Sequence, residues 1–208
     1  MSRVEAALRR IGRDLGDLGR WTALVGGLAV SARTEPRFTR DADLAVLVND
    51  DRDAATLVRS LQARSWRVLA AVEQEATARL GAVRLSSDAE VDHGVVVDLL
   101  FASSGIEPEI VAAAESVEIL PGVVIPVAQL GHLIALKVLA RDDRTRPQDV
   151  ADLVALLATA DAEAIALARD ALALVVARGF HRRRDLLADL DAALADPGPR
   201  GSRDRCRR

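Results

Sequence analysis

The chain has 208 residues, half of them hydrophobic, which suits one domain or one domain with a small helical appendage. Aromatic residues make up only 2% and tyrosine is absent, so Ala, Leu and Val must build the core and an aromatic base-stacking platform is disfavoured. A net charge of −3 excludes a general polyanion binder and leaves any nucleic-acid contact to local basic patches.

Val4, Leu8, Ile11, Leu15 and Leu18 recur at helical spacing and predict a helix over residues 3–19. Trp21 to Val25 reads as a short strand running into Gly26 and Gly27, and Gly27 to Ala32 as a helix ended near Pro36. Ala42 to Val48 predicts a strand closed by a turn at Asn49-Asp50-Asp51. A helix over 52–64 and a strand from Trp66 to Val72 follow. Two more strands, 79–86 and 94–101, are joined by a hairpin-like link at Ser87-Asp88-Ala89-Glu90. Residues 106–115 read as a helix, and Val117–Leu120 and Val123–Val127 as a strand pair around Pro121-Gly122. Helices over 129–141, 148–158, 161–178 and 182–194 close the chain, the second entered through Pro147. Interleaved strands and helices followed by helices alone predict an α/β (α+β) fold, a small mixed sheet flanked by helices. The division expected is an α/β core over 1–127, a helical segment over 128–196 and a disordered basic tail over 197–208.

The chemistry concentrates in two runs, Gly26-Gly27-Leu28 and Arg37-x-Thr39-x-Asp41-x-Asp43. Asp41 and Asp43 stand two apart at the mouth of an apolar strand and project to one face, close enough to share a divalent cation. Two carboxylates so close repel unless a positive charge sits between them. A glycine pair opening a helix lets backbone N–H groups approach a phosphate. A phosphate cradle beside paired carboxylates is the layout of a metal-dependent nucleotidyl transferase. A third carboxylate is sought on the strand Val95–Phe101, where Asp98 interrupts an apolar run and needs a partner or a metal. Asp92 competes, but it lies nearer a turn, where a solvated Asp is ordinary.

Gly-Gly, the Arg-x-Thr-x-Asp-x-Asp run and a later lone Asp together resemble the DNA polymerase β-type nucleotidyltransferase superfamily, and within it the AbiEii/AbiGii toxin-type nucleotidyltransferases. The resemblance spans roughly residues 20 to 155. It implies that Asp41, Asp43 and Asp98 bind two Mg²⁺ ions, with Mn²⁺ as the alternative. Asp98 would also help deprotonate the attacking hydroxyl. Gly26 and Gly27, with Arg37, Thr39 and Lys137, would bind the nucleotide. It further implies an NTP substrate, a tRNA or other RNA acceptor, and a cognate antitoxin. Arg37 could neutralise phosphate and Thr39 brace a carboxylate, since both alternate with the aspartates. Lys137 lies on an apolar helix and must meet an anion or snorkel, and Asp149 is placed to orient Lys137 or Arg146. Arg33 and Arg40 are weaker nucleotide-binding candidates.

Two readings compete with an RNA-modifying enzyme. An aminoglycoside-type nucleotidyltransferase would need an acidic pocket, which Asp142, Asp143, Asp149 and Asp152 could supply. A non-catalytic binding protein would keep the fold without turnover. The arginines at 178, 182, 183 and 184, with those of the tail, offer basic clusters for an RNA backbone or a solvated surface. His93, His132 and His181 have no metal-ligand spacing, and Ser103-Ser104-Gly105 has no nucleophile-elbow context. The lone Cys206, an N-terminus without an apolar signal region and no run of about 18 apolar residues lead to the expectation of a cytoplasmic protein without a membrane span.

Overall fold

A computed structural model describes residues 2–37, 39, 41–74, 77–87, 94–142 and 147–196. The elements run α1 (Arg3–Asp17), β1 (Thr22–Val25), α2 (Gly26–Arg33), β2 (Asp41–Val46), α3 (Asp51–Gln62), β3 (Trp66–Gln74), β4 (Arg79–Ser87) and β5 (Val96–Leu100). They continue with α4 (Glu107–Ala112), β6 (Glu115–Leu120), β7 (Val123–Val127), α5 (Leu130–Ala140), α6 (Pro147–Thr159), α7 (Ala162–Ala177) and α8 (Leu186–Ala195).

Local chemistry sets several of these boundaries. The Ser2 hydroxyl accepts from the Glu5 N–H at 3.1 Å and starts α1, whose Leu8, Ile11 and Leu15 are buried. Asp50 caps α3 in the same way, accepting from the Asp53 N–H at 2.8 Å. The Asn49-Asp50-Asp51 run is therefore a helix entry, with acidic residues at the positive end of the dipole, as well as a strand exit. The last helix begins at Leu186, four residues later than periodicity predicts. Arg182 and Arg183 adopt left-handed backbone with φ of 52° and 58°, and Asp185 then caps the helix.

Seven strands form one mixed sheet in the order β3-β4-β5-β2-β1-β7-β6. β2 lies at its centre, antiparallel to β1 and parallel to β5, while β4 pairs antiparallel with both β5 and β3. Along β2, Ala42, Leu44 and Val46 face one side of the sheet. Asp41, Asp43 and Ala45 face the other. Leu44 lines a small cavity together with Leu8 and Ile11 of α1.

The core is built from Ala, Leu, Val and Ile, with Trp66 the largest fully buried side chain. Its indole N–H donates to Asp14 Oδ2 at 2.8 Å, so the one polar atom of that ring is satisfied. α5 is buried along most of its length and packs against α7 and α6. A Cβ at Gly131 would lie 2.6 Å from the Ala164 carbonyl oxygen, so α5 and α7 meet backbone to backbone at that point. α5 also touches α2 and thereby brings Lys137 to the polar end of the central strands. Among the described residues no helix is long and apolar enough to cross a membrane. The tail over 197–208 and the link over 88–93 lie outside the described residues.

Candidate active site

Strand register lines up one row of residues across the sheet. Val25 of β1 pairs with Asp43 of β2, Asp43 with Asp98 of β5, Asp98 with Arg84 of β4, and Arg84 with Ala70 of β3. Paired residues on neighbouring strands share a face, so Asp43, Asp98 and Arg84 project together. Asp41 joins them two residues before Asp43 on the same strand. The chain thus places Asp98, the lone carboxylate of an apolar strand, beside the Asp41–Asp43 pair. Asp92 lies outside the described residues.

The glycine pair closes on this row from the β1 side. Gly26 has φ of +64°, and a Cβ built there would sit 1.9 Å from Asp43 Oδ2. Both the backbone conformation and the lack of space demand glycine at this position. A Cβ at Gly27 would lie 2.7 Å from Arg37 Nη2 and 3.1 Å from the Thr39 hydroxyl, so the start of α2 is packed against both side chains.

A cleft of about 330 Å³ opens over the row. It is walled by Gly26, Gly27, Asp43, Asp98, Lys137 and Arg182, with an apolar side from α5. Burial, then the neighbouring charge of Asp98, pushes the Asp43 carboxyl up to about 6, and Asp41 adds to this while Lys137 and Arg84 oppose it. Asp98 is gripped by Arg84 in a two-pronged pair, Nε to Oδ1 at 2.9 Å and Nη2 to Oδ2 at 2.7 Å. That pair, with Asp41 and Asp43 nearby, holds the Arg84 guanidinium still more firmly in its charged form.

Lys137 Nζ reaches Asp149 Oδ1 at 2.6 Å and Asp152 Oδ2 at 2.8 Å, and Arg37 Nη2 donates to Asp152 Oδ2 at 2.8 Å. Asp152 is 1% exposed. Burial alone would raise its carboxyl, but hydrogen bonds from Lys137 and Arg37 outweigh it and hold the group below its ordinary value. Arg37 is thus engaged with Asp152 at the edge of the cleft rather than standing on the carboxylate row. The Thr39 hydroxyl lies 3.5 Å from the Asp41 carbonyl oxygen, over the backbone of that strand rather than on a carboxylate. Arg33 pairs with Glu115 at 2.7 Å and serves the packing of α2 on β7. Arg40, Arg146 and Asp143 lie outside the described residues.

The basic cluster near the C-terminal helices divides by role. Arg178 forks onto Glu109, and Arg184 donates to the Leu139, Arg141 and Val138 carbonyls at the end of α5, so both fasten helices together. Arg182, in its left-handed backbone, lines the cleft. Sequence reading missed Arg84 and did not single out Arg182 for the site. Arg84 sits on an alternating strand like any solvated arginine, and only the pairing of β4 with β5 reveals its partner.

The three carboxylates suit Mg²⁺ or Mn²⁺, hard cations that prefer oxygen donors. Burial first, and then the charges of Asp98 and Asp41, raise the Asp43 carboxyl, and a bound cation would offset both. Among the described residues no three acidic, His or Cys side chains already converge to ligating distance, and the Asp98 carboxylate points onto Arg84. The donor set fits a divalent ion, and Arg84 is the cation that occupies Asp98.

No curated protein matches the chain. Among solved structures, an antigenic nucleotidyltransferase-like protein from Paracoccidioides brasiliensis aligns at 16% identity and a TM-score of 0.52, over 91% of this chain and 93% of that one. The antibiotic-resistance factor ANT(2'')-Ia aligns at 16% identity and a TM-score of 0.57, over 87% of this chain and 97% of that one. These likenesses show a shared fold. The profile of a family described as nucleotidyl transferase AbiEii toxin, type IV toxin–antitoxin system, matches residues 7–207, nearly the whole chain and well beyond the 20–155 expected from motifs. The chain therefore belongs to the AbiEii nucleotidyl transferase family.

Proposed function

We propose that this nucleotidyltransferase moves a nucleoside monophosphate from an NTP to a hydroxyl at the end of an RNA, tRNA foremost, as the toxin of a cytoplasmic toxin–antitoxin pair. The observation that carries the reading is the placement of Asp41, Asp43 and Asp98 on one face beside the Gly26 turn. The three aspartates would hold Mg²⁺, which when bound offsets charge on the attacking and leaving oxygens. Gly26 and Gly27 offer backbone N–H groups at the start of α2 to the triphosphate. Lys137, steadied by Asp149 and Asp152, supplies a cation on the same side. Arg37 holds Asp152 in place and so helps position Lys137. The acceptor oxygen forms its bond to the α-phosphorus as the bond to pyrophosphate breaks, and the hydroxyl proton leaves toward Asp98.

RNA is favoured over a cationic aminoglycoside because Asp149 and Asp152 are engaged by Lys137 and Arg37, which removes half of the acidic pocket that such a substrate requires. The test is incubation with each α-labelled NTP and either total RNA or a panel of aminoglycosides. Label is expected on RNA, lost when divalent ions are chelated. Label on the aminoglycosides alone would overturn the RNA reading, and no label with any NTP would overturn the catalytic one. A small partner protein that abolishes growth arrest on coexpression would be the antitoxin.

A further inference from the structure

The row across the sheet has two ends, and they carry different chemistry. At the β1 end stand Gly26 and Gly27, with Lys137 above them. At the β4 end stands Arg84, beyond Asp98. In-line displacement at phosphorus puts the entering and leaving oxygens on opposite sides of the reacting atom. With the pyrophosphate seated at the glycine end, the acceptor must enter over Asp98, from the β4 and β3 side. We infer that Arg84 is an acceptor-binding residue, which grips a phosphate of the acceptor strand next to the attacking hydroxyl. The inference rests on the RNA reading above and deepens it.

Three observations support it. Arg84 spends Nε and Nη2 on Asp98, which leaves the two N–H groups of Nη1 outside that fork, and its side chain is 49% exposed against 14% for Asp98. One edge of the guanidinium is thus fixed by the carboxylate row, on a side chain half exposed on the side where the acceptor would enter. The next row along the same face runs Asp41, Val96, Ser86 and Arg67, which places a second arginine on β3 at the position beyond Ser86. Arg182 stands where the main cleft meets a neighbouring hollow lined by Val72, Gln74 and Gly81 on the outer strands and by Ser103 after β5, with Glu73 as its acidic member. Cations at successive positions outward from the reacting centre suit a polyanionic strand and repel a cationic small molecule.

The experiment is steady-state transfer from α-labelled NTP to a tRNA pool by wild type, Arg84→Gln and Arg84→Lys. KM is measured separately for tRNA and NTP, and the tRNA series is repeated across KCl concentrations. Arg84→Gln is expected to raise KM for tRNA about tenfold, the scale of one charge-assisted hydrogen bond, and to leave KM for NTP within about twofold. The slope of log affinity against log salt should flatten by about 0.7, one phosphate contact to a single strand, and Arg84→Lys should restore most of that slope. A rise in KM for NTP with KM for tRNA unchanged would overturn the inference and move Arg84 to the triphosphate. A fall in kcat alone, with both KM values and the salt slope intact, would overturn it and leave Arg84 as a brace for Asp98. If wild type labels no RNA, the RNA reading fails and takes this inference with it. If wild type labels tRNA and Arg84→Gln matches it, the inference alone fails.

Discussion

Asp43→Asn is expected to lower nucleotidyl transfer on the order of 10³-fold, the scale of losing one group that stabilises transition-state charge. The same substitution should make the metal-free protein more stable at neutral pH. Asp43 is buried beside Asp98 and Asp41, and its carboxyl is raised to about 6 from an ordinary 3.8. Between those two values the folded chain keeps a proton that the unfolded chain has released. The contribution of this group to stability therefore declines as pH rises from about 4 to about 6 and stays lost above that. Asparagine has no charge to bury, so the gain should be on the order of 3 kcal/mol at pH 7 and should nearly vanish near pH 4. Paired melts of wild type and variant in chelator, at pH 4.5 and 7.5, read it directly. Wild-type activity in the variant would contradict the catalytic role, and a gain that grows toward acid would contradict the burial of a repelling carboxylate at this position.

Gly26→Ala should be strongly damaging to both stability and activity. The left-handed backbone alone costs about 1 kcal/mol for alanine. The added Cβ would also fall 1.9 Å from Asp43 Oδ2, so either the turn or the carboxylate must move. We expect a loss of about 2–4 kcal/mol together with near-complete loss of transfer. Gly19 provides the control. It has φ of +65° and open space around its Cβ position, so Gly19→Ala should cost only the backbone part, about 1 kcal/mol, and leave activity intact. Equal losses at the two positions, measured by denaturant unfolding, would show that the contact with Asp43 contributes nothing.

Much of this arrangement is legible in the residues themselves. The spacing of Leu8, Ile11 and Leu15 specifies a buried helix face, and the apolar run around Asp98 specifies a strand whose one carboxylate needs company. The i, i+2 spacing of Asp41 and Asp43 fixes their common face wherever the strand sits. What the sequence does not carry is the order of strands. The partner of Asp98 is Arg84, fourteen residues away, and only the antiparallel pairing of β4 with β5 brings the two together.

Arg37 illustrates the same limit. Alternation aligns it with the aspartates, but Asp152, 115 residues later on α6, captures its guanidinium. The start of α8 is obscured because Arg182 and Arg183 have ordinary helix propensity, yet their backbone is left-handed, in a turn flanked by two tertiary anchors. Arg178 holds Glu109 on one side of the turn, and Arg184 holds the end of α5 on the other.

In the proposed reading Asp41, Asp43 and Asp98 form one metal-binding centre next to a triphosphate held at Gly26 and Gly27. Crystals grown with Mn²⁺ and a non-hydrolysable NTP test it most directly through anomalous scattering. The expected result is Mn²⁺ density bonded to all three carboxylates, at about the 2.1 Å typical of the Mg²⁺ it replaces, with the triphosphate against the start of α2. Well-ordered nucleotide elsewhere on the chain, or Mn²⁺ bound at other residues while these three carboxylates stay unligated, would contradict it.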